Sequence, residues 1–267
     1  MFDEPPQEAW NIRFGHQAPT GLPDLHKFLN HRCVRKYKPE LIPEDTIRGL
    51  IGAAQSAATS SGLQLWTAIS VQDPERREAI ANLCDPNEQV RTCSWFFAFC
   101  ADHYRLRQAA HTVGEEALGL DYTEFYTMAV IDAALAAERM VCAAESLGIG
   151  ICYIGGLRNN PEGVKELLEL PEGLFGLFGL CLGWPEEPLT AEIKPRLSPE
   201  AIWHSERYNP APNIVEYNSR MEQFYTEQKM RGDFNWSKRS GRRVDETHLT
   251  GRETQLEFIH KQGFAKR

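Results

Sequence analysis

Residues 123–147, TEFYTMAVIDAALAAERMVCAAESL, are apolar nearly all round when wound at the helical period. Such a helix offers water no broad face, so it is expected to be buried on most sides, in a core or against a second subunit. Gly148 follows as its predicted C-terminal cap. The 267 residues suffice for one large domain or two small ones, and 42% apolar content supplies a full core.

The flanking segments alternate. DLHKFLNH (24–31) places Leu25, Phe28 and Leu29 on one helical face and ends at His31 and Arg32. IPEDTIRGLIGAAQSAA reads as a helix with Pro43, Glu44 and Asp45 in its first turn and Ile47, Leu50, Ile51 and Ala54 as its buried stripe. QLWTAISVQDP reads as a strand, PERREAIANLC as a helix and WFFAFCADH (95–103) as a central strand. GICYIGGLRNNPEGVKELLEL reads as strand, glycine turn and helix, capped by Asn160 with Pro161 in the first turn. LFGLFGLCLGWP (174–185) is a further strand, KPRLSPEAIWH a basic loop, and 213–230 and 252–262 helices around an irregular basic stretch at 231–243. Strands separated by helices in one continuous pattern point to a single α/β-type domain.

Charge narrows the ligand. The net charge is -8, yet residues 231–267 carry nine Lys/Arg against five Asp/Glu, and Arg32, Arg35, Lys36 and Lys38 lie within seven residues. The acidic bulk argues against nucleic acid as a partner, and two basic islands suit a small anion. No apolar run reaches the roughly 20 residues that span a bilayer. MFDEPPQEAW lacks the apolar core of a signal peptide, so a cytoplasmic setting and a poorly anchored N-terminal arm are expected. Seven cysteines, an odd number with no C-x-x-C pair, predict reduced thiols and no metal site.

Motifs for a serine nucleophile, a P-loop, a zinc protease or G-x-G-x-x-G are absent, so any catalysis would rest on a bound cofactor. Four polar islands remain: His31-Arg32-Cys33-Val34-Arg35, Thr59-Ser60-Ser61-Gly62-Leu63-Gln64, Tyr153-Ile154-Gly155-Gly156 and Lys194-Pro195-Arg196. Taken singly, each also reads as an ordinary turn or a solvated charge. Together they offer guanidinium forks and an ammonium for phosphate, hydroxyl donors, and a glycine turn open to a flat ring. That set suits a phosphorylated, planar heteroaromatic cofactor.

HRCVRKYKPELIPED, ATSSGLQLW, AESLGIGICYIGGLRNNPE, LFGLFGLCLGWP, KPRLS and EFIHKQGFAKR together resemble the nitroreductase family of flavoproteins. Within it they resemble the oxygen-insensitive NADPH nitroreductases and NADPH–flavin oxidoreductases. The resemblance implies an α+β fold, with a central, mainly antiparallel sheet flanked by helices in an intertwined homodimer that binds FMN non-covalently at the subunit interface. It covers residues 24–267, with 213–267 embracing the partner, and leaves 1–23 as an extension without an assigned role.

Carried over by motif, His31, Arg32 and Arg35 would hold FMN phosphate and ribityl oxygens, and Lys194 and Arg196 would complete the anion site. Thr59, Ser60, Ser61 and Gln64 would line the flavin. Tyr153, Ile154, Gly155 and Gly156 would pass over the ring, with N–H groups near N5 and O4. Cys33 stands where the subgroup has Ser, and Asn87 where it has a flavin-contacting Gln. Arg231, Lys238 and Arg239 would meet the NADPH 2′-phosphate. No side chain is expected to be catalytic, since the chemistry belongs to flavin N5. The implied activity is ping-pong, two-electron reduction of nitroaromatics and quinones with NADPH as donor. The alternatives are a flavin reductase supplying reduced FMN, a non-catalytic flavin-binding sensor, and a structural dimer without cofactor.

Overall fold

The apolar segments around the long helix become four paired strands. The computed structural model describes residues 4–230, 232 and 234–267. Its strands are β1 (Trp66–Val71), β2 (Trp95–Asp102), β3 (Gly150–Ile154) and β4 (Leu174–Gly183). Its helices are α1 (Pro6–Phe14), α2 (His26–Leu29), α3 (Glu44–Gln55), α4 (Pro74–Leu83), α5 (Glu88–Thr92), α6 (Tyr104–Thr112), α7 (Thr123–Ser146), α8 (Pro161–Leu167), α9 (Pro199–Ile202), α10 (Val215–Glu227), α11 (Trp236–Arg243) and α12 (Gln255–Lys261). The chain divides into two compact units, Met1–Arg32 with Thr190–Leu249, and Cys33–Leu189 with Thr250–Arg267.

The second unit holds the sheet, ordered β1-β2-β4-β3 with every neighbouring pair antiparallel. Alternation of strands and helices along the chain therefore does not produce the parallel sheet usual in α/β domains; the fold is α+β. Helix α3 and the alanine-rich stretch of α7 cover one face. Ile47, Leu50 and Ala54 meet Ala136, Ala137, Met140, Val141 and Ala144 over Phe97, Phe99, Leu180 and Leu182. Small residues on α7 let the helix lie close to the bulky strand side chains. A second cluster joins α7 to the chain end, with Ala129 and Ala133 against Phe175, Phe258, Ile259 and Phe264. Strand β2 is buried along nearly its whole length, as its unbroken apolar run requires.

α7 is not buried all round: Ile131 and Leu135 are 50% and 44% exposed. The cap at α8 forms as read, with the Asn160 side chain accepting from Gly163 N–H and Pro161 in the first turn.

The first unit is helical. Ala9, Leu29 and Ile193 form one small core with Trp10, Phe14 and Leu22; Tyr217, Met221 and Tyr225 form another with Trp236. This corrects two expectations. The N-terminal arm is anchored, because Ala9 and Arg13 of α1 are buried. The basic stretch is not irregular throughout: Asn235 caps α11 by accepting from Lys238 N–H. Of the face expected on 24–31, Leu29 is buried while Leu25 and Phe28 stay exposed. Among the described residues, no helix is long and apolar enough to cross a membrane, and no cluster of His, Cys, Asp and Glu could hold a metal.

Candidate functional site

In the first unit, Arg13 gathers the basic segments. Its guanidinium donates to the Leu29 carbonyl at 2.8 Å, the His31 carbonyl at 2.9 Å and the Lys194 carbonyl at 3.5 Å. Its own carbonyl accepts from Arg196 N–H at 2.7 Å and from Arg220 Nη1 at 3.0 Å. The two cationic segments, 163 residues apart between His31 and Lys194, are thus held on one side chain. The Arg32 side chain is buried and forms an ion pair with Glu4. Arg196 Nη1 leans on the carbonyls of Lys194 and Pro195.

In the second unit, Cys33 bridges in parallel to Ile151, and Val34 N–H donates to the Ile151 carbonyl at 2.9 Å. The segment after Cys33 therefore runs beside β3, with Arg35 exposed. Lys38 pairs with Glu187 at 2.8 Å.

The Thr59–Gln64 loop has an organiser that the sequence reading did not single out. Thr59 Oγ1 donates to Asp132 Oδ2 at 2.7 Å and accepts from Gln64 N–H at 2.9 Å. Asp132 Oδ2 also accepts from Leu65 N–H at 3.0 Å. Thr59 is therefore a staple within the loop, its hydroxyl proton already committed to Asp132. Ser60, Ser61 and Gln64 are exposed, and Ser61 and Gln64 sit at φ 52° and 53°, a left-handed conformation costly for non-glycine residues. One signal was present in the sequence: Asp132 is a lone acid inside AVIDAALAA.

At the end of β3, Gly155 and Gly156 head a short 3-10 turn, whose first N–H groups have no partner within the turn. A Cβ on Gly156 would stand 2.5 Å from the Cys84 carbonyl oxygen, so the approach of α4 already requires that glycine. A Cβ on Gly155 would meet Arg158 Nη2 at 3.7 Å and Arg252 Nη2 at 3.9 Å, ordinary contact distances, and the Gly155 carbonyl accepts from Arg252 Nη2 at 3.0 Å. Arg252 Nε also donates to Asn159 Oδ1 at 2.9 Å, a brace that no sequence motif announced. Ile154 is a core side chain at 4% exposure. The Tyr153 hydroxyl donates to Glu138 Oε2 at 3.1 Å; burial and that carboxylate push its pKa up, so it keeps its proton. Three residues beyond Cys84, the buried Oδ1 of Asn87 has no hydrogen-bond partner.

Of the residues expected to meet NADPH, Arg231 lies outside the described residues. Lys238 and Arg239 sit on α11, the latter with its guanidinium 5.3 Å from the Tyr225 ring centre.

Residues 29–184 match the sequence model of the Nitroreductase family, and residues 194–267 that of the Nitroreductase family, C-terminal domain. The chain belongs to the nitroreductase family. It is 41% identical over 186 residues to an FMN reductase (NADPH) of Bacillus subtilis, covering 69% of this chain and 74% of that protein. It is 35% identical to an oxygen-insensitive NADPH nitroreductase of Salmonella typhimurium, covering 92% and 99%. The solved structure of NfrA1 from B. megaterium superposes with a TM-score of 0.85 at 36% identity, covering 91% and 99%. This nitroreductase-family chain thus has relatives in more than one subfamily at similar, moderate identity. General FMN- and NADPH-dependent oxidoreductase activity is typical of the family.

The residues present fit FMN. The first unit holds the main chains of two basic segments together through Arg13, a setting that suits a phosphate. The second offers turn N–H groups for carbonyl and ring-nitrogen acceptors, and at Asn87 a buried acceptor lacking a donor.

Proposed function

We propose that this protein is an FMN-dependent NADPH oxidoreductase that reduces nitroaromatics and quinones by two electrons in ping-pong order. We also place it with the oxygen-insensitive NADPH nitroreductases and NADPH–flavin oxidoreductases. The observation that carries the reading is the Arg13-centred gathering of the His31–Arg32 and Lys194–Arg196 segments, a cationic site in an acidic chain.

In this reading residues 24–267 form the flavin-binding part and 213–267 embrace a partner. His31, Arg32, Arg35, Lys194 and Arg196 would hold the FMN phosphate and ribityl oxygens by charge-assisted hydrogen bonds. At Arg32 the phosphate would share the guanidinium with Glu4. Ser60, Ser61 and Gln64 would line the flavin, with Thr59 shaping their loop. Gly155 and Gly156 would donate N–H to the ring, and Tyr153 would border it from the side of Glu138. Cys33 would supply a weaker donor than serine, and Asn87 Oδ1 would accept the ring's N–H. Lys238 and Arg239, with Arg231, would meet the NADPH 2′-phosphate. When bound, FMN would supply the redox chemistry, a two-electron transfer from NADPH to the second substrate. The chain positions both substrates, and solvent supplies protons. A cytoplasmic setting suits seven cysteines with no C-x-x-C pair.

An anaerobic titration tests this. Purified protein should show a flavin spectrum that NADPH bleaches and a nitroaromatic restores. A flavin spectrum that NADPH leaves unchanged would point to a flavin-binding sensor. Faster turnover of free FMN than of any nitroaromatic or quinone would favour the flavin-reductase reading.

We further propose a homodimer. On α7, Ile131 and Leu135 border a cavity of about 470 Å³ with Ala134, Glu138, Tyr153 and Phe178. Two large apolar side chains half exposed on α7 suit a second copy of the chain. Light scattering should give twice the 30.3 kDa chain mass, and a mass of one chain would exclude the dimer.

A further inference from the structure

The family match begins at residue 29, so α1 lies before it. That helix is nevertheless tied to the cationic site at both ends. At its start, Glu4 N–H donates to Asn30 Oδ1 at 3.1 Å, and the Glu4 carbonyl accepts from Asn30 Nδ2 at 2.9 Å. Asn30 is fully buried. At its end, Arg13 is 7% exposed and spends its guanidinium on main-chain carbonyls of Leu29, His31 and Lys194. Between the ends, Ala9 packs against Leu29 and Ile193, the residues that adjoin the two basic segments.

The exit from α1 is built for the same junction. Gly15 caps the helix in the left-handed region at φ 79°. A Cβ there would stand 2.4 Å from Arg220 Nε. The glycine therefore leaves room for Arg220, which donates to the carbonyls of Arg13 at 3.0 Å and Arg196 at 3.0 Å.

Burying a guanidinium is costly unless its donors are filled, and here they go to main-chain carbonyls at the end of α2 (Leu29) and in the loops at His31 and Lys194. The result is a fixed spacing between His31 and Lys194 before any ligand arrives. An anion that meets two basic segments whose main chains are already fixed does not bear the entropy of ordering two loops. A lysine could not do this, because a single ammonium lacks the planar fork that spans three carbonyls.

We propose that α1 is a built-in part of the phosphate site and that Arg13 is its positioning residue, setting affinity for the phosphate of the cofactor without touching it. This rests on the FMN reading above. FMN and riboflavin differ only in the phosphate, so their affinities separate a role at the anion site from general damage. In full-length apoprotein, Arg13→Gln should weaken FMN binding by about tenfold while changing riboflavin binding by less than about twofold. Arg13→Lys, which keeps the charge, should act in the same direction and serves if the glutamine variant does not fold. Equal losses for both flavins, or no loss for FMN, would overturn the role of Arg13. Wild-type protein that binds neither flavin would instead remove the FMN reading, and this inference with it.

Discussion

Asp132→Ala is expected to lower stability by about 3 kcal/mol, since it leaves a buried N–H and a part-buried hydroxyl without their charged acceptor. For a chain of this size that corresponds to a fall in melting temperature of about 6–12 °C. The carboxylate is 3% exposed and accepts from the Thr59 hydroxyl and from Leu65 N–H. Alanine supplies no acceptor, so the buried Leu65 N–H loses its partner outright and the part-buried Thr59 hydroxyl loses the bond that orients it. Thr59 would also lose the orientation in which it accepts from Gln64 N–H. Ser61 and Gln64, held at positive φ, would then relax toward ordinary backbone angles. In the proposed FMN reading, flavin affinity should fall with them, because that loop would present Ser60 and Ser61 to the ring. Asp132→Asn keeps one carbonyl acceptor and should lose less than half as much. Thermal melts of the three proteins, with a flavin titration, decide the matter. An alanine variant that melts with the wild type would show that Asp132 does not hold the loop.

The same residue marks where sequence reading stops. The apolar runs of β2 and β4 and the length of α7 were legible because burial on both faces leaves an unbroken hydrophobic stretch. The caps at α8 and the acidic first turn of α3 were legible because they satisfy local backbone groups. What was hidden depends on contacts between distant residues. Arg13 reads as one more charge in an acidic arm, and only its meeting with residues 29, 31 and 194 gives it a task. Gly156 reads as a place for a ligand to approach, yet the Cys84 carbonyl already explains it. Thr59 reads as a donor to a ligand, yet its proton goes to Asp132. Spacing names the residue types that converge; it does not say which of them are already engaged with one another.

Arg77→Met should cost more, about 4 kcal/mol, because three buried carbonyls lose charge-assisted donors. Arg77 is 8% exposed on α4 and reaches Val71 O at 2.7 Å, Cys93 O at 2.8 Å and Val90 O at 3.3 Å, with Gln72 Oε1 on its remaining nitrogen. It thereby joins the end of β1 to the last turn of α5, whose carbonyls have no partner within the helix. Methionine fills the volume and removes a buried charge, and the relief from desolvating that charge keeps the loss below the sum of three bonds. The sulfur of Cys93 lies 3.4 Å from the same guanidinium. Burial alone would push that thiol's pKa up, but the hydrogen bond from Cys181 and the charge of Arg77 hold it below the usual range. In the methionine variant the Cys93 thiol should therefore titrate higher. If Asn87 and Gly156 line the flavin as proposed, the effect should also reach it, because Asn87 opens α5 and the Cys84 carbonyl abuts Gly156. Loosening α4 and α5 should move both. Denaturant melts should show the loss of stability, and flavin titration of the surviving folded protein a weaker affinity; unchanged flavin affinity in a destabilised variant would separate the α4–α5 anchor from the candidate site.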